Sequence, residues 1–489
     1  MLLALPILIP LATAIAISMM PQRPLLLRAV AFAGAVCILA AAVAVLARVE
    51  ASGIQVLQIG AWPAPFGITL VADLFSALLV FMVGIVGVAV TFNSFSGVDP
   101  RREAFGYHAL LHILLMGVSG AFLTGDIFNL YVWFEVMLIA SFVLMSLYRT
   151  TSQLHAAFTY VTLNLLASAL LLTAIGLLYG QGGTLNFADL AQAWPERRTP
   201  ALDATLSMLF VVAFGIKAGL FPLFFWLPAS YHTPPAAVGA LFAGLLTKVG
   251  VYALIRVFTL LFRDGGGMYT VVLVLSVTTM VVGMIGALGQ RDFRRVLSFN
   301  LVGHIGFTTV GLALWTPFAL AGSIFYMLHH ILVITNLFLV SGLLLRLRRT
   351  TQLSQLGGLY RTHTGVAVLA MIPLFSLAGV PPLSGFIAKL AIVEAALDVG
   401  YYRLAGIALA VSLLTVLSMA RLWDEAFWKP PSEASSERLG TVILAPIAVL
   451  AILTLALALG AEPVLNVSRR AAEQLLQPDG YVRAVLGGQ

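Results

Sequence analysis

The stretch that decides the fold is 211–256, VVAFGIKAGLFPLFFWLPASYHTPPAAVGALFAGLLTKVGVYALIR. It contains two apolar segments of membrane length, and each carries one lysine near its middle, Lys217 and Lys248. A lysine at the centre of a bilayer costs roughly 2.5 to 3.5 kcal/mol, so both lysines need a functional reason. Pro222 and Pro228 interrupt the first segment, because proline removes a backbone hydrogen bond from a helix interior. The stretch therefore predicts two membrane helices with buried charges, the first of them broken.

The composition of the whole chain is that of a polytopic membrane protein. Its 489 residues are 61% hydrophobic and 10% charged, whereas soluble domains average about 25% charged residues. The first apolar segment, Leu2 to Met20, lacks a basic region and a small-residue cleavage site, so we expect it to span rather than be removed as a signal peptide. The lone cysteine, Cys37, can form no internal disulfide. The net charge of +7 is spread over short loops beside anionic lipid headgroups and does not imply nucleic acid as a partner.

Apolar runs of about twenty residues, the length that crosses a bilayer, predict about fourteen transmembrane helices. Between the second and third, Ile54 to Gly60 is too short and too polar to span and predicts an external hairpin or loop. Asn186 is expected to cap a short interfacial helix toward Trp194, and Val467 to Leu476 resembles a short amphipathic helix. The predicted spans are 2–20, 25–47, 70–92, 106–124, 127–148, 155–178, 203–229, 235–257, 268–289, 293–313, 317–346, 364–399, 403–427 and 440–461.

A short internal repeat links the seventh and twelfth predicted helices. The seventh contains AGLFPL at 218–223 and the twelfth AGVPPL at 378–383, and both are broken by proline. An offset of five helices reverses direction in the membrane, which is typical of inverted repeats around a midplane site. The predicted fold class is thus an all-α polytopic membrane protein with two inverted five-helix repeats and discontinuous helices 7 and 12. Its predicted parts are N-terminal helices (1–105), the first repeat (106–260), the second repeat (261–430) and a last helix with a tail (431–489).

The basic residues outside the apolar segments predict the orientation in the membrane. Odd-numbered loops carry most of them, and positive charge favours the cytoplasmic side. We therefore expect the odd loops in the cytoplasm and both termini outside, in a multi-pass membrane protein. The smaller, even-numbered set contains Arg48, Arg197, Arg198, Arg256, Arg263, Arg403, Arg469, Arg470 and Arg483.

Lysine and arginine are distributed differently along the chain. Lys217, Lys248 and Lys389 lie inside apolar segments, whereas the arginines lie at segment ends or in loops. Arginine stays charged in proteins, while a buried lysine can release its proton. The pattern predicts that lysine, which can exchange its proton, lies in the membrane interior, and that arginine, which stays charged, is kept out of it.

An acidic residue and two of the buried lysines each allow two interpretations. Glu135, in the fifth segment, either forms a static salt bridge between helices or pairs with Lys217 and controls how tightly that lysine holds its proton. Lys248 either extends to the interface or carries a proton near the midplane. Lys389 either pairs with Glu394 or binds the C-terminal end of a half-helix.

Three histidines, His304, His329 and His330, are predicted at membrane depth. A single buried histidine is often a packing residue, but three beside polar side chains favour a hydrated proton path. The sequence contains no phosphate-binding loop, no cysteine cluster and no haem-ligating pair. We therefore predict no cofactor and no metal, and expect a transport protein rather than an enzyme.

The chain resembles the antiporter-like proton-pumping subunits of respiratory complex I, membrane-bound hydrogenases and Mrp-type multisubunit sodium/proton antiporters. The residues that carry the resemblance are FNLYVWFEVMLIASFVLM (128–145), FGIKAGLFPLFFWLPASYHTPPAAVGALFAGLLTKVGVYALIRV (214–257), DFRRVLSFNLVGHIGF (292–307) and LAGVPPLSGFIAKL (377–390). The resemblance implies an ion pair between Glu135 and Lys217 and a hydrophilic axis that continues through later residues. These are Lys248, His304, His329 or His330, and Lys389.

Within that family, a lysine at 389 disfavours the complex I M-type subunit, and RLWDEAFW at 421–428 resembles the D-type subunits of the Mrp antiporters. The end of the chain soon after the fourteenth segment is expected to separate it from the L-type subunit and the longer A-type subunit of the Mrp antiporters. The resemblance implies other subunits of a hetero-oligomeric antiporter complex as partners, with protons and sodium handled by the complex. The alternatives are a subunit of a redox-driven complex, a self-sufficient solute transporter, and a scaffold with inert charges.

Overall fold

The computed structural model describes residues 1–21, 23–263, 267–430 and 440–487. These residues contain twelve helices that are long and apolar enough to cross a membrane. Two shorter apolar helices, Tyr107–Leu123 and Thr364–Ala378, lie among them. The prediction of an all-α polytopic membrane protein is confirmed, while the count of fourteen spans and the inverted repeats remain predictions. Residues 431–439, which begin the predicted C-terminal part and include Arg438 of the odd-loop set, lie outside the described residues.

The described helices follow one another with short connections. In chain order they are α1 (Leu5–Met19), α2 (Pro24–Ser52), α3 (Leu74–Gly97), α4 (Pro100–Ala104), α5 (Tyr107–Leu123), α6 (Ile127–Met145), α7 (Thr151–Gly182), α8 (Phe187–Arg197), α9 (Pro200–Ala218), α10 (Trp226–Ser230), α11 (Ala236–Leu241), α12 (Thr247–Leu261), α13 (Gly267–Leu288), α14 (Phe293–Leu314), α15 (Pro317–Arg348), α16 (Leu359–Thr362), α17 (Thr364–Ala378), α18 (Ser384–Asp398), α19 (Tyr402–Trp423), α20 (Thr441–Leu459), α21 (Ala461–Leu476) and α22 (Asp479–Leu486). Short 3₁₀ turns occupy Leu2–Ala4, Ile59–Ala61 and Leu353–Gln355, and π-helical turns occupy Phe242–Leu246 and Asp424–Trp428.

The predicted hairpin between the second and third helices is present. Strand β1 (Gln55–Gln58) pairs antiparallel with β2 (Thr69–Ala72). The prediction that the third span begins at residue 70 is wrong, because those residues form β2. Asp73 then caps α3 by accepting a hydrogen bond from the Ser76 amide, which fixes the start of the helix.

Both predicted helix breaks are confirmed, and their backbones are alike. Helix α9 ends at Gly219 with φ of 89°, and α17 ends at Gly379 with φ of 86°. Glycine takes this left-handed conformation without the penalty that a Cβ imposes, so it ends helices readily. At each break the following amide, of Leu220 or Val380, returns to a carbonyl in the last helical turn. The local sequence match at 218–223 and 378–383 therefore corresponds to a shared backbone geometry.

The eighth predicted span contains an irregularity that the sequence did not predict. Every residue from Ala237 to Leu261 is buried, and the α-helix widens into the π-helical turn Phe242–Leu246 just before Lys248. A single π-helical turn inside a helix often marks a functional site.

The short polar elements confirm two smaller predictions. Asn186 caps α8 through the amides of Ala188 and Asp189. The amphipathic tail helix is longer than predicted, because α21 spans Ala461–Leu476.

The prediction that arginine stays out of the interior is wrong for two side chains. Arg256 is 3% exposed and Arg294 is 6% exposed, although both lie near the ends of their helices. Arg256 is neutralised by Asp73 at 2.6 Å, and Arg294 donates to the Ser341 hydroxyl at 2.9 Å. A buried permanent charge is stable when an acid or several acceptors compensate it.

Candidate functional site

The predicted site residues lie on helices α6, α9, α12, α14, α15 and α18. The three lysine side chains are between 2% and 6% exposed, and the three histidines are fully buried. Glu135 is only half-buried, on the same side of α6 as exposed Phe128 and Ile139. The fold therefore places six of the seven predicted residues in the interior and the seventh at its edge.

Lys217 lies in the last turn of α9, directly before the break. Its Nζ donates to the Ser168 hydroxyl of α7 at 3.0 Å and lies 4.6 Å from the centre of the Phe134 ring. The resemblance implies a direct ion pair between Lys217 and Glu135. This pair is not formed among the described residues, because the lysine Nζ is more than 4.0 Å from the carboxylate oxygens. Glu135 still exerts an electrostatic effect on Lys217, and its Oε1 has no hydrogen-bond partner among the described residues.

A small cavity lies beside Lys217. Its volume is about 20 Å³, enough for one water molecule. Asn164 and Tyr160 of α7 line it together with Tyr231 and Lys217. A water molecule there would give the lysine a second acceptor besides the Ser168 hydroxyl.

Lys248 follows the π-helical turn and bonds back to it. Its Nζ donates to the carbonyl of Ala243, inside that turn, at 2.6 Å. The lysine therefore does not extend to the interface, and the interpretation of a charge held at depth is favoured. A Cβ on Gly250 would lie 2.5 Å from the backbone nitrogen of Ala218, so α12 packs directly on the end of α9. This close approach places the two lysine-bearing helices side by side.

The histidines form three contacts that the sequence left open. His304 and His330 stack with ring centres 5.0 Å apart, and His304 Nδ1 lies 2.6 Å from the Tyr326 hydroxyl. His329 lies instead against the broken twelfth helix, with Nδ1 2.9 Å from the Ser384 hydroxyl. Both histidines of the pair thus lie along the series, His330 next to His304 and His329 next to α18.

Lys389 closes the series at the second break. Its Nζ donates to the Ala378 carbonyl at 2.8 Å, at the C-terminal end of α17. The half-helix interpretation is therefore favoured over a pair with Glu394. The negative end of a helix dipole stabilises a positive charge, so α17 acts as a partial counter-charge. The centre of the Phe307 ring lies 6.0 Å from the same Nζ. Phe307 stacks on Tyr326, so it links Lys389 to the tyrosine that contacts His304.

Several ring nitrogens in this series have no protein partner. Within the described residues, His304 Nε2, His329 Nε2 and both nitrogens of His330 are unpaired and buried. Buried polar atoms are normally satisfied by protein or by ordered water. The arrangement can therefore pass protons through water molecules between the rings. Among the described residues no cluster of His, Cys, Asp and Glu could hold a metal ion.

Sequence reasoning missed the neutral partners of the charged groups. Ser168, Ser384 and Tyr326 contact the lysine and histidines, but serine and tyrosine are common in apolar helices and carry no distinct signal. Tyr326 had one detectable feature, since it lies three and four residues before His329 and His330 and so shares their helix face.

Comparisons with known proteins identify the family to which the chain belongs. Residues 124–416 match the family model described as NADH:quinone oxidoreductase/Mrp antiporter, TM. The chain is 43% identical to the D-type subunit of the Na(+)/H(+) antiporter of Alkalihalophilus pseudofirmus over 99% of each chain. It superposes with a TM-score of 0.93 and 34% identity on a chain of the Mrp complex from Dietzia sp., covering 99% of both.

A second solved structure is similar but more distant in sequence. It is a chain of the membrane-bound sulfane sulfur reductase, an archaeal respiratory membrane complex, with a TM-score of 0.92, 25% identity and 99% coverage of both chains. The protein whose buried lysines and histidines are described above therefore belongs to the NADH:quinone oxidoreductase/Mrp antiporter membrane family.

Proposed function

We propose that this chain is a D-type subunit of a multisubunit Mrp Na⁺/H⁺ antiporter and that it moves protons along its buried lysines and histidines. The higher identity to the antiporter relatives supports this assignment over a subunit of a redox-driven complex. The subunit works inside a hetero-oligomer in the bacterial cell membrane, with odd-numbered loops in the cytoplasm and both termini outside.

One observation carries the mechanism. Each of the three buried lysines is hydrogen-bonded to a neutral acceptor, namely Ser168, Ala243 or Ala378, and none forms an ion pair among the described residues. A buried charge without a counter-ion is strongly disfavoured, and a lysine relieves this by releasing its proton. The three sites therefore suit transient protonation.

The proposed order of transfer follows the contacts. Lys217 exchanges its proton through water with Lys248 across the α9–α12 contact. The proton then passes through His330 and His304 to His329, with Tyr326 holding the His304 ring. Lys389 ends the series at the half-helix α17. Glu135 lies too far for a direct bond and acts on Lys217 through its charge, so a small movement of α6 would change how tightly Lys217 holds its proton.

Replacement of Lys217 or Glu135 by alanine tests this mechanism. We expect K217A and E135A to abolish Na⁺/H⁺ antiport in everted vesicles while the complex still assembles. K429A is the matched control, because Lys429 is 2.9 Å from Glu425 in a half-exposed pair outside the series. Normal antiport by K217A, in complexes of normal subunit content, would contradict the mechanism.

The assignment to an antiporter complex rather than a redox-driven complex has a separate test. Mass spectrometry of the gently solubilised complex should find Mrp-type subunits and no flavin, iron–sulfur or nickel subunits. Redox subunits in the complex would favour the alternative, a proton-pumping subunit of a redox-driven enzyme.

A further inference from the structure

A second group of buried titratable residues lies where α2, α4 and α5 meet, apart from the lysine–histidine series. Glu103 accepts a hydrogen bond from Arg28 Nε at 2.9 Å and lies 3.4 Å from His108 Nε2. One turn further along α5, His112 Nδ1 is 2.8 Å from the His108 carbonyl. Glu103 is 1% exposed and both histidines are fully buried. The group precedes residues 124–416, so the family match does not cover it.

Polar atoms without partners continue from this group along the interface between α3 and α5. Positions 108, 112 and 119 share one face of α5. Leu115 lies on that face, and a Cβ on Gly87 of α3 would be 3.2 Å from its Cδ1, so the face is directed at α3. The buried atoms along this interface that have no hydrogen-bond partner in the described part of the chain include Glu103 Oε2, His108 Nδ1, His112 Nε2, Thr91 Oγ1 and Ser119 Oγ.

These unpaired atoms indicate water. A buried polar atom without a partner costs about 1 to 3 kcal/mol, so five of them in a dry interface would cost a large part of a protein's stability. Ordered water normally satisfies such groups. A line of water molecules between Glu103 and Ser119 would satisfy all of them and reach past the middle of α5.

We propose that the interface between α3 and α5 is a second, hydrated proton-exchange site. It takes up protons at the odd-loop side, and His108 and His112 are the groups that exchange them. An imidazole accepts a proton at one ring nitrogen and releases one from the other, so two histidines one turn apart can pass a proton along the water. No bond other than N–H and O–H bonds forms or breaks in this exchange.

The charged groups of the site lie at its odd-loop end. The charged and titratable groups that face it are Arg28 from α2, Glu103 from α4, Tyr107 with the two histidines from α5, and Tyr148 beyond the end of α6; α1 and α3 contain none. Burial would raise the pKa of the Glu103 carboxyl, but hydrogen bonds from His108 and Arg28 hold it below its usual value. Glu103 therefore stays anionic beside the His108 imidazole.

Thiol labelling in the assembled complex tests the hydration. In a C37A background, which removes the only native cysteine of this chain, S119C and A121C place thiols on α5 at two fully buried positions. The S119C thiol replaces a hydroxyl of similar size, and the A121C thiol adds one sulfur atom at an apolar position. A thiol must ionise to react, and each unit of its pKa changes the thiolate fraction tenfold. If the interface holds water, the S119C thiol ionises more readily than the A121C thiol. We therefore expect S119C to react at least about tenfold faster than A121C with a small methanethiosulfonate added to the odd-loop side. Equally slow labelling of both variants would overturn the proposal.

A functional readout tests the exchange itself and rests on the proposed antiport function. H112Q keeps a polar group and removes the titratable imidazole, so we expect a loss of antiport that grows toward alkaline pH, where protons are scarce. An unchanged pH profile, measured per amount of assembled complex, would overturn the role of His112. The labelling result does not depend on antiport, so failure of this proposal and failure of the proposed function are distinguishable.

Discussion

At the scale of the residue, the site is defined by what its lysines do not contact. Lys217, Lys248 and Lys389 are bonded to a hydroxyl or a backbone carbonyl, whereas the buried Arg256 has the acid Asp73. A buried permanent charge must be compensated by an acid, as for Arg256, or by several acceptors, as for Arg294, but a group that loses its proton need not be. Lysine therefore suits a buried site that offers only one neutral acceptor.

Replacement of Lys389 by arginine should separate charge from proton exchange. K389R keeps the positive charge at the end of α17 but does not release a proton, so we expect loss of most antiport activity with a normally assembled complex. The measurement is Na⁺/H⁺ exchange in everted vesicles, with K429R as the matched control at the half-exposed pair with Glu425. Full activity of K389R would show that the charge alone is sufficient.

At the scale of the element, irregular helices position the charges. Each of the three lysines lies beside an irregularity in a helix. These irregularities are the helix ends at Gly219 and Gly379 and the π-helical turn Phe242–Leu246. An unbroken α-helix satisfies its own carbonyls and offers none to a side chain. The irregularities therefore supply the acceptors of Lys248 and Lys389, whereas Lys217, beside the first break, donates to the Ser168 hydroxyl of α7.

Replacement of Gly250 by alanine tests the contact between two of these elements. The added Cβ would lie 2.5 Å from the Ala218 nitrogen, so α12 and α9 must move apart, and we expect a destabilisation of about 1 to 3 kcal/mol. The thermal unfolding temperature of the purified complex measures it. G176A on α7 is the control, since its Cβ meets open space and should leave stability equal or slightly higher. Equal stability of the two variants would contradict the close packing.

At the scale of the whole molecule, a buried ion pair ties distant parts of the chain together. Asp73 caps α3, Arg256 lies on α12, and the Arg256 guanidinium is 5.4 Å from the ring centre of Tyr481 on α22. Burial would raise the pKa of Asp73, but the charge of Arg256 holds it below its usual range. A lowered carboxyl pKa stabilises the fold above about pH 4, and this contribution is lost as the pH falls further.

Removal of both partners of this pair should cost less stability than the two single removals added together. We expect D73N and R256M each to destabilise the protein by about 3 to 5 kcal/mol, because each leaves a buried group without its partner. The double variant D73N/R256M should lose less than the sum of the two. Thermal unfolding of all three against the parent measures the coupling, and simple additivity would show that the pair is not coupled.

The positions of most helices and of both breaks were predictable from the sequence, because the bilayer constrains each segment of the chain locally. A run of about twenty apolar residues can only span as a helix, so the apolar runs located most of the helices, and Pro222 with Pro381–Pro382 located both breaks. The third span was misplaced by four residues because Leu70 and Val71 are equally suited to a buried strand. The π-helical turn was missed because its sequence, FAGLL, differs in no way from ordinary helix.

The sequence by itself determined which residues are buried at depth, since Lys217, Lys248, Lys389 and the histidines lie inside segments that must span. Only the tertiary structure decided what they contact. Lys217 was expected to pair with Glu135 and instead binds Ser168, and His329 and His330 point to different neighbours although they are adjacent in the chain. The reason is physical: burial follows from the composition of a segment, whereas a hydrogen bond depends on the rotation and packing of two helices, which no single segment encodes.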